Sequence, residues 1–566
     1  MATAATLICL ALYWVGYRFY SRWLSESVFS LDLDTSTPAH DFRDDVDYLP
    51  TNRYVLFGHH YASITGLSPM LGPAIAVIWG WLPAMIWVVL GALLIGCVHD
   101  FSALVLSIRA RGLSVGAIAE GIIGPRAKTM FHVVIFFGIG LAMGVFVSVI
   151  SGLFQPDSYP QAIAPSFLLM ALATVVGWIV FRKGVAPGIP IAIAFTITLA
   201  CVGIVSVTDA FNIEWANRDG WGMVLLAYSF AASVLPVWLL LQPRDFINSL
   251  LLYVGVILMY AGFFVLRPQF VAPAVVMHPQ GAPSLFPFVF VVIACGAVSG
   301  FHGLVSSGTT AKQLDRATDA RMIGYGGMIG ESLLGLMAVL ACTAGYQDPE
   351  AWHAHYASWA TASPLKETIS VFIEGSAGFV AALGIPLGFA QALISVVVVS
   401  FALTTLDSAT RLLRYNLSEM GETLGMKNEN RFLTTGLAVG VIGFFAFYRV
   451  DGAPVGLSLW ALFGTTNQLL GSLTLMVASV YLFRRGRNWY VTGVPAVFMT
   501  LITLFAMVSN LGRFAANGQT MLLVVGSVLL VLAVGITIEI VHTFRASRDL
   551  PIIDDVAVFV SEAARR

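Results

Sequence analysis

The sequence predicts an all-α polytopic membrane protein, a bundle of about fifteen transmembrane helices, and three observations lead there. The 566-residue chain is 58% hydrophobic and only 11% charged, with a mean hydropathy of +0.84, whereas soluble domains carry about 25% charged residues. Apolar runs of roughly 18 residues or more, long enough to cross a bilayer, recur from one end to the other. The basic residues also sort onto alternate connections between those runs, with 25 of the Lys and Arg on one side and five (Arg218, Arg267, Lys366, Arg449, Arg513) on the other. The first side is therefore read as cytoplasmic.

In order, the spans fall near residues 3–20, 58–79, 81–107, 130–152, 164–181, 187–207, 222–241, 249–266, 285–307, 324–345, 374–406, 432–449, 455–483, 493–511 and 519–541. The first, in residues 1–22, lacks a basic leader and an A-x-A-like cleavage site, and Arg18 and Arg22 follow its apolar run. It is read as a retained helix with its N-terminus outside. Residues 23–57 form an acidic cytoplasmic loop (Asp32, Asp34, Asp41, Asp44, Asp45, Asp47). Ten spans fill residues 58–406, a cytoplasmic loop follows at 407–431, further spans occupy 432–541, and 542–566 is a cytoplasmic tail. No hydrophilic segment is long enough to fold as an enzyme, so function is expected inside the bundle.

The second span, FGHHYASITGLSPMLGPAIA, breaks its own helix with Gly66, Pro69, Gly72 and Pro73 and carries Ser63, Thr65 and Ser68. By helical rise Ser68 lies about 20 Å from Tyr54, near mid-membrane. Backbone freed there is tolerated only inside protein or along a polar cavity, the setting in which secondary transporters build their sites. Five spans later AYSFAASVLPVWLLLQPRDF, with Ser229, Ser233 and Pro236, runs the opposite way. Two antiparallel interrupted helices five spans apart predict a five-plus-five inverted repeat over 58–406. The span CGAVSGFHGLVSSGTTAKQL is thinned by glycines and offers Ser299 among its hydroxyls, and close helix packing accounts for much of that pattern.

Titratable groups inside spans default to functional hypotheses. His59 and His60 open the broken span. His99 and Asp100 come about 27 Å along theirs, His302 about 26 Å along its own, and Glu331 about 10 Å inside the cytoplasmic end of its span. These six are expected at one depth, as a proton-coupling and gating cluster or as a hydrogen-bonded lock. The same His and Asp types (His59, His60, His99, Asp100, His302) suit a metal, but no HxxxH or HExxH spacing appears, and no cofactor is expected. Asp407 and Arg411, four residues apart, read as a surface pair. Thr465, Thr466, Asn467 and Gln468 inside an apolar span read as interhelical glue or the lining of a polar path. The five cysteines lie singly in apolar segments and read as buried hydrophobes.

Seven runs, PTNRYVLFGHHYASITGLSPMLGPAIA, GWLPAMIWVVLGALLIGCVHDFSALVLSIRARG, LLQPRDFINSLLL, CGAVSGFHGLVSSGTTAKQLD, GYGGMIGESLLG, TTLDSATRLLRYNL and LWALFGTTNQLLG, closely resemble the carbon starvation protein CstA family, from about residue 35 to 475. The resemblance implies an inner-membrane secondary transporter, described in the family as a peptide uptake protein induced on carbon starvation and as a proton-coupled pyruvate transporter. It also implies a LeuT-type inverted-repeat core, as in the amino acid–polyamine–organocation superfamily.

The expected function is uptake of a small carboxylate-bearing nutrient by alternating access, coupled to H⁺, with Na⁺ as the alternative ion. The substrate would be lined by Ser63, Thr65, Gly66, Ser68, Gly72, Ser229, Ser233 and Ser299, with freed N–H groups at half-helix N-termini attracting its carboxylate. The expected partners are that substrate and the bilayer, with no nucleic acid. An intramembrane metal- or haem-bearing redox protein and a membrane sensor are the rival readings.

Overall fold

The computed structural model describes residues 1–31, 35–208, 216–346, 348–423, 425, 430–450, 453–454 and 456–549. Asp32, Asp34, Lys427 and the tail from residue 550 lie outside the described residues.

The chain is helical nearly throughout, with one short antiparallel pair, Arg449–Val450 against Ala453–Pro454. The principal helices are α1 (Ala2–Val28), α2 (Arg53–Ile64), α3 (Ser68–Trp79), α4 (Trp81–Arg109), α5 (Pro125–Leu153), α6 (Pro160–Lys183), α7 (Gly188–Val205), α8 (Arg218–Val234) and α9 (Leu241–Leu266). They continue as α10 (Leu285–Val292), α11 (Gly300–Val305), α12 (Ala317–Ala344), α13 (Leu365–Ala381), α14 (Leu387–Thr423), α15 (Arg431–Phe447), α16 (Leu459–Arg484), α17 (Tyr490–Ala516) and α18 (Thr520–Ala546). Among the described residues eleven helices are long and apolar enough to cross a membrane, and the bent pair α2–α3 brings the number to twelve. The chain is thus a multi-pass membrane protein. α16 sits at the centre, with 89% of its apolar window buried, while α7 and α18, at 33%, present apolar side chains outward as lipid-facing helices do.

Three expectations change. The span expected at 374–406 is two helices, α13 and α14, parted at Gly384 (φ +84°) and Pro386. Glycine permits that left-handed turn, and proline bars the residue before it from continuing a helix. Lys366, at the start of α13, pairs with Asp157 beyond α5 (2.7 Å), and Gly388, at the start of α14, packs on the Ser206 carbonyl beyond α7. Because α5 and α7 run in the same direction, α13 begins and ends at one end of the bundle.

The loop expected at 407–431 is, as far as Thr423, the continuation of α14. This helix is 37 residues long, about 55 Å at 1.5 Å per residue. Thr410, Arg411, Leu413 and Asn416 are buried there, so packing holds it helical.

The break expected at 229–236 lies instead at Leu235–Leu240. α8 runs intact through Ser229 and Ser233 and stops before Pro236, with Leu235 already extended (ψ 150°). A proline lacks the N–H that the next turn needs and forces its predecessor out of the helical region. This stretch is at the end of the bundle that carries Arg53, Lys183 and Lys312, hereafter the basic end, where the Leu239 carbonyl packs on Gly177 and the Leu235 carbonyl accepts from Arg411.

Candidate functional site

Two helices break in mid-bundle, and their unwound stretches meet. The first break lies between α2 and α3, where Thr65 leaves the helical region (ψ 87°) and the axis bends by 47°. Pro69 sits in the first turn of α3, where a missing N–H costs nothing. Gly72 and Pro73, expected in the break, lie within α3. The second break, Ile293–Ser299, separates α10 from α11 and turns at Gly296 (φ +85°). Gly72 faces the Val292 carbonyl so closely that a Cβ would come within 2.6 Å of it, and Gly296 packs against Pro69. The glycines are what let the two backbones touch.

Side chains from two long helices satisfy the freed backbone. On the first break, Thr405 Oγ1 donates to the Ser63 carbonyl (3.3 Å), Ser63 Oγ lies 3.3 Å from Ser408 Oγ, and Thr65 Oγ1 is buried without a partner. On the second, Asn467 Oδ1 accepts from the Phe301 N–H (2.8 Å), its Nδ2 donates to Ser299 Oγ (3.0 Å), and Gln468 Nε2 donates to the Val298 carbonyl (3.2 Å). The Asn467–Gln468 pair thus acts as interhelical glue, while Thr465 and Thr466 bond to their own helix. Ser68 and Ser299 are buried beside the breaks. Ser229 and Ser233 are not: the first donates to the Leu226 carbonyl and the second lies 3.4 Å from Thr435 Oγ1.

The six titratable residues expected together divide into separate groups. His59 Nδ1 lies 2.5 Å from Asp245 Oδ2. Asp245 is held by Arg244, which also pairs with Asp407 and donates to Tyr228 Oη (2.8 Å), and Tyr228 donates to Asp407 Oδ2 (2.7 Å). His59, Arg244, Asp245 and Asp407 are at most 1% exposed. Asp407 is therefore not the surface partner of Arg411, which binds the Ala232 and Leu235 carbonyls and lies 3.5 Å from Asp47.

The second group is built on Asp100, with His99 Nδ1 at 2.7 Å from one oxygen and His302 Nδ1 at 2.8 Å from the other. His302 Nε2 lies 3.1 Å from Glu331 Oε2, and all four residues are fully buried. His60 belongs to neither group and lies 2.9 Å from Thr310 Oγ1.

The basic end is closed over both groups. Asp44 Oδ1 accepts from the N–H groups of Val46, Asp47 and Tyr48, shaping a strap. The strap bonds across the bundle: Leu49 N–H to the Lys312 carbonyl (3.2 Å), Thr51 N–H to that of Gln313 (3.0 Å), and Asp47 to Tyr415 (2.7 Å). At the opposite end a cavity of 260 Å³ opens above the breaks, lined by Ile75, Phe288, Val292, Trp460, Asn510 and Arg513, among others.

Sequence reasoning missed Asp245, Arg244, Asp407, Cys295 and Asn467 as site members, although the charged LQPRDF step in an apolar setting was a signal.

Paired interrupted helices with buried ionic groups alongside define a multi-pass membrane protein with an internal polar site. The sequence matches the model of the family described as carbon starvation protein CstA over residues 1–354 and 348–506, and the chain belongs to that family. It is 32% identical to the pyruvate/proton symporter BtsT of Escherichia coli (strain K12), covering 90% of this chain and 81% of that protein. It is also 32% identical to the peptide transporter CstA of the same organism, over 88% and 79%, and 29% identical to the peptide transporter CstA of Bacillus subtilis (strain 168), over 94% and 96%. Against the crystal structure of the Eremococcus coleocola manganese transporter bound to an aromatic bis-isothiourea compound, the TM-score is 0.48 at 12% identity, covering 89% of this chain and 99% of that one.

Proposed function

We propose that the chain is a secondary transporter of the inner membrane that takes up a small carboxylate-bearing nutrient, a peptide or pyruvate, under carbon starvation, by H⁺-coupled alternating access. The observation that carries this reading is the meeting of the two unwound stretches, Thr65–Leu67 and Ile293–Ser299, deep in the bundle. Substrate binds there against Ser63, Thr65, Ser68 and Ser299, with Gly66 and Gly72 allowing close approach. The unpartnered Thr65 hydroxyl supports this placement. The relatives named for peptide and for pyruvate/proton transport support the substrate class and the ion.

The core is a five-plus-five inverted repeat with insertions: α2–α3, α4, α5, α8 and α9, then α10–α11, α12, α14, α15 and α16, with the α6–α7 hairpin and α13 inserted. In support, α2–α3 leaves the basic end while α10–α11 returns to it, and α4 packs on α12 as α5 packs on α14. Counting each broken pair once and α13 as no crossing gives fifteen crossings, with the N-terminus outside and the basic end and C-terminus cytoplasmic.

The His59–Asp245 pair carries the coupling proton. With Arg244, Asp245 and Asp407 charged, the group is one positive charge short of balance, and an imidazolium supplies it. His60, near the strap, serves the gate. The strap across the basic end and the cavity with Arg513 at the other support a state that admits substrate from outside.

Uptake of labelled pyruvate and of a labelled dipeptide, each competing against the other in proteoliposomes with an imposed proton gradient, tests the whole reading. One of the two accumulates and the other fails to displace it, or both share the site. If neither accumulates, or uptake ignores the gradient, the reading fails.

A further inference from the structure

The Asp100 group lacks the fixed cation that Arg244 gives the His59 group. Two carboxylates, Asp100 and Glu331, are fully buried, and among the described residues no Lys or Arg bonds to either. Buried charge of one sign must be neutralised in place.

The wiring shows where a cation would sit. His302 Nδ1 donates to Asp100, which fixes the tautomer and turns the Nε2 lone pair toward Glu331. A carboxylate behind an imidazole that faces a metal is the arrangement that raises ligand basicity and holds ring orientation. His302 Nε2 and the Glu331 carboxylate are buried and, among the described residues, hydrogen-bond or ion-pair with no side chain other than each other. The 3.1 Å from Nε2 to Oε2 is close to the edge of a tetrahedron, about 3.3 Å for bonds of about 2.0–2.1 Å.

A third donor comes from the unwound stretch. The Sγ of Cys295 and the facing donor atoms of His302 and Glu331 all lie within 4.8 Å of one another. Cys295 Sγ accepts from Asn467 Nδ2 (3.4 Å) and lies 3.2 Å from Ser299 Oγ, to which it donates as a thiol and from which it would accept once a metal displaces its proton. Three donors on three elements, the second break, α11 and α12, thus converge on one point, each buried.

We propose that Cys295, His302 and Glu331 bind one divalent transition cation of zinc type, with Asp100 and Asn467 as positioning residues and a fourth position left to water or a nearby donor. Sulfur, imidazole and carboxylate donors together favour zinc over magnesium or calcium. Bound through Glu331 and a Cys295 thiolate, the ion balances those two anions and leaves Asp100 to the imidazole N–H groups of His99 and His302; it also pins the second break to α12, so it is structural and no redox step is involved. This site goes beyond the transport reading and does not depend on it.

The test is metal content and cobalt spectroscopy on the full-length chain, purified in detergent without chelators. Elemental analysis should find about one zinc-type ion per chain. After removal of that ion, Co²⁺ should restore one equivalent with a near-ultraviolet sulfur-to-cobalt band. Cys295→Ser should lose that band, Glu331→Gln should weaken Co²⁺ binding, and Asp100→Asn should weaken it roughly 10–100-fold through His302. Wild-type chain that is metal-free and takes up no Co²⁺ at millimolar cobalt overturns the proposal with no variant needed. Retention of the sulfur band in Cys295→Ser, or unchanged affinity in Glu331→Gln, overturns it equally. A failed uptake assay beside a positive cobalt spectrum would sink the transport reading and leave the ion site standing.

Discussion

The two buried ionic groups use the same residue types and differ in one thing, a fixed cation. Around Asp245, Arg244 supplies a permanent charge to two carboxylates, and its fork reaches Asp245, Asp407 and Tyr228 at once. Around Asp100 no such cation is present among the described residues, and the carboxylates face imidazoles and a thiol instead. The first group is a small step from balance and suits a mobile charge that comes and goes. The second has no fixed cation for either carboxylate and suits an ion that stays. In a low-dielectric interior, what a cluster does is set less by its histidines than by the charge they must complete.

The largest expected effect tests the fixed cation. Arg244→Met should cost about 3–5 kcal/mol, because it strands two buried carboxylates. A large loss of thermal midpoint in detergent, with poor recovery of folded chain, checks it, and a variant as stable as wild type would mean that Asp245 and Asp407 are compensated elsewhere. Next, a cation held at about 100 times its Kd contributes about 2.7 kcal/mol, so chelation should lower the wild-type thermal midpoint clearly and leave that of Glu331→Gln unchanged. Equal chelator sensitivity in both would place the ion elsewhere. Asn467→Ala should cost about 1–3 kcal/mol, since it orphans the Phe301 N–H and the Cys295 contact in the second break; a denaturant or thermal series reads it. A comparable or smaller effect on stability, about 1–3 kcal/mol, is expected for His59→Gln, which keeps a hydrogen bond toward Asp245 but removes the positive charge that balances the group. Its functional signature is sharper: substrate exchange across the membrane should persist while gradient-driven accumulation disappears. Accumulation like that of wild type would remove His59 from coupling.

Much of the architecture could be read from the chain because it follows from local rules. Apolar length and the Gly66–Pro69 interruption each act within one helix, and each is visible as a run of letters. The second break was harder to read. Gly296 and Gly300 look like the thin face of an ordinary packed helix, and only Asn467 and Gln468, some 170 residues on, explain how the open backbone is held. Asp407 shows the limit most clearly. Spacing pairs it with Arg411, four residues away, but the fold brings Arg244 to it from 163 residues away and sends Arg411 to the Ala232 and Leu235 carbonyls at the end of α8. His59, His60, His99 and His302 are all buried. Which of them would share a carboxylate depends on how helices from both halves of the sequence cross.

The strap at Asp44–Thr51 has a kinetic consequence. Its contacts are individually modest, but they lie on one short stretch of chain tethered between α1 and α2, so each contact that reforms raises the effective concentration of the rest. Asp44 already folds the stretch into its docked shape, so little ordering entropy is lost on return. Shutting is therefore an intramolecular event that competes well against diffusion into the open mouth, whereas opening must release several bonds together. On the transport reading proposed above, the basic end would act as a self-latching door whose resting position is shut, and the energy to hold it open would come from whatever is bound behind it.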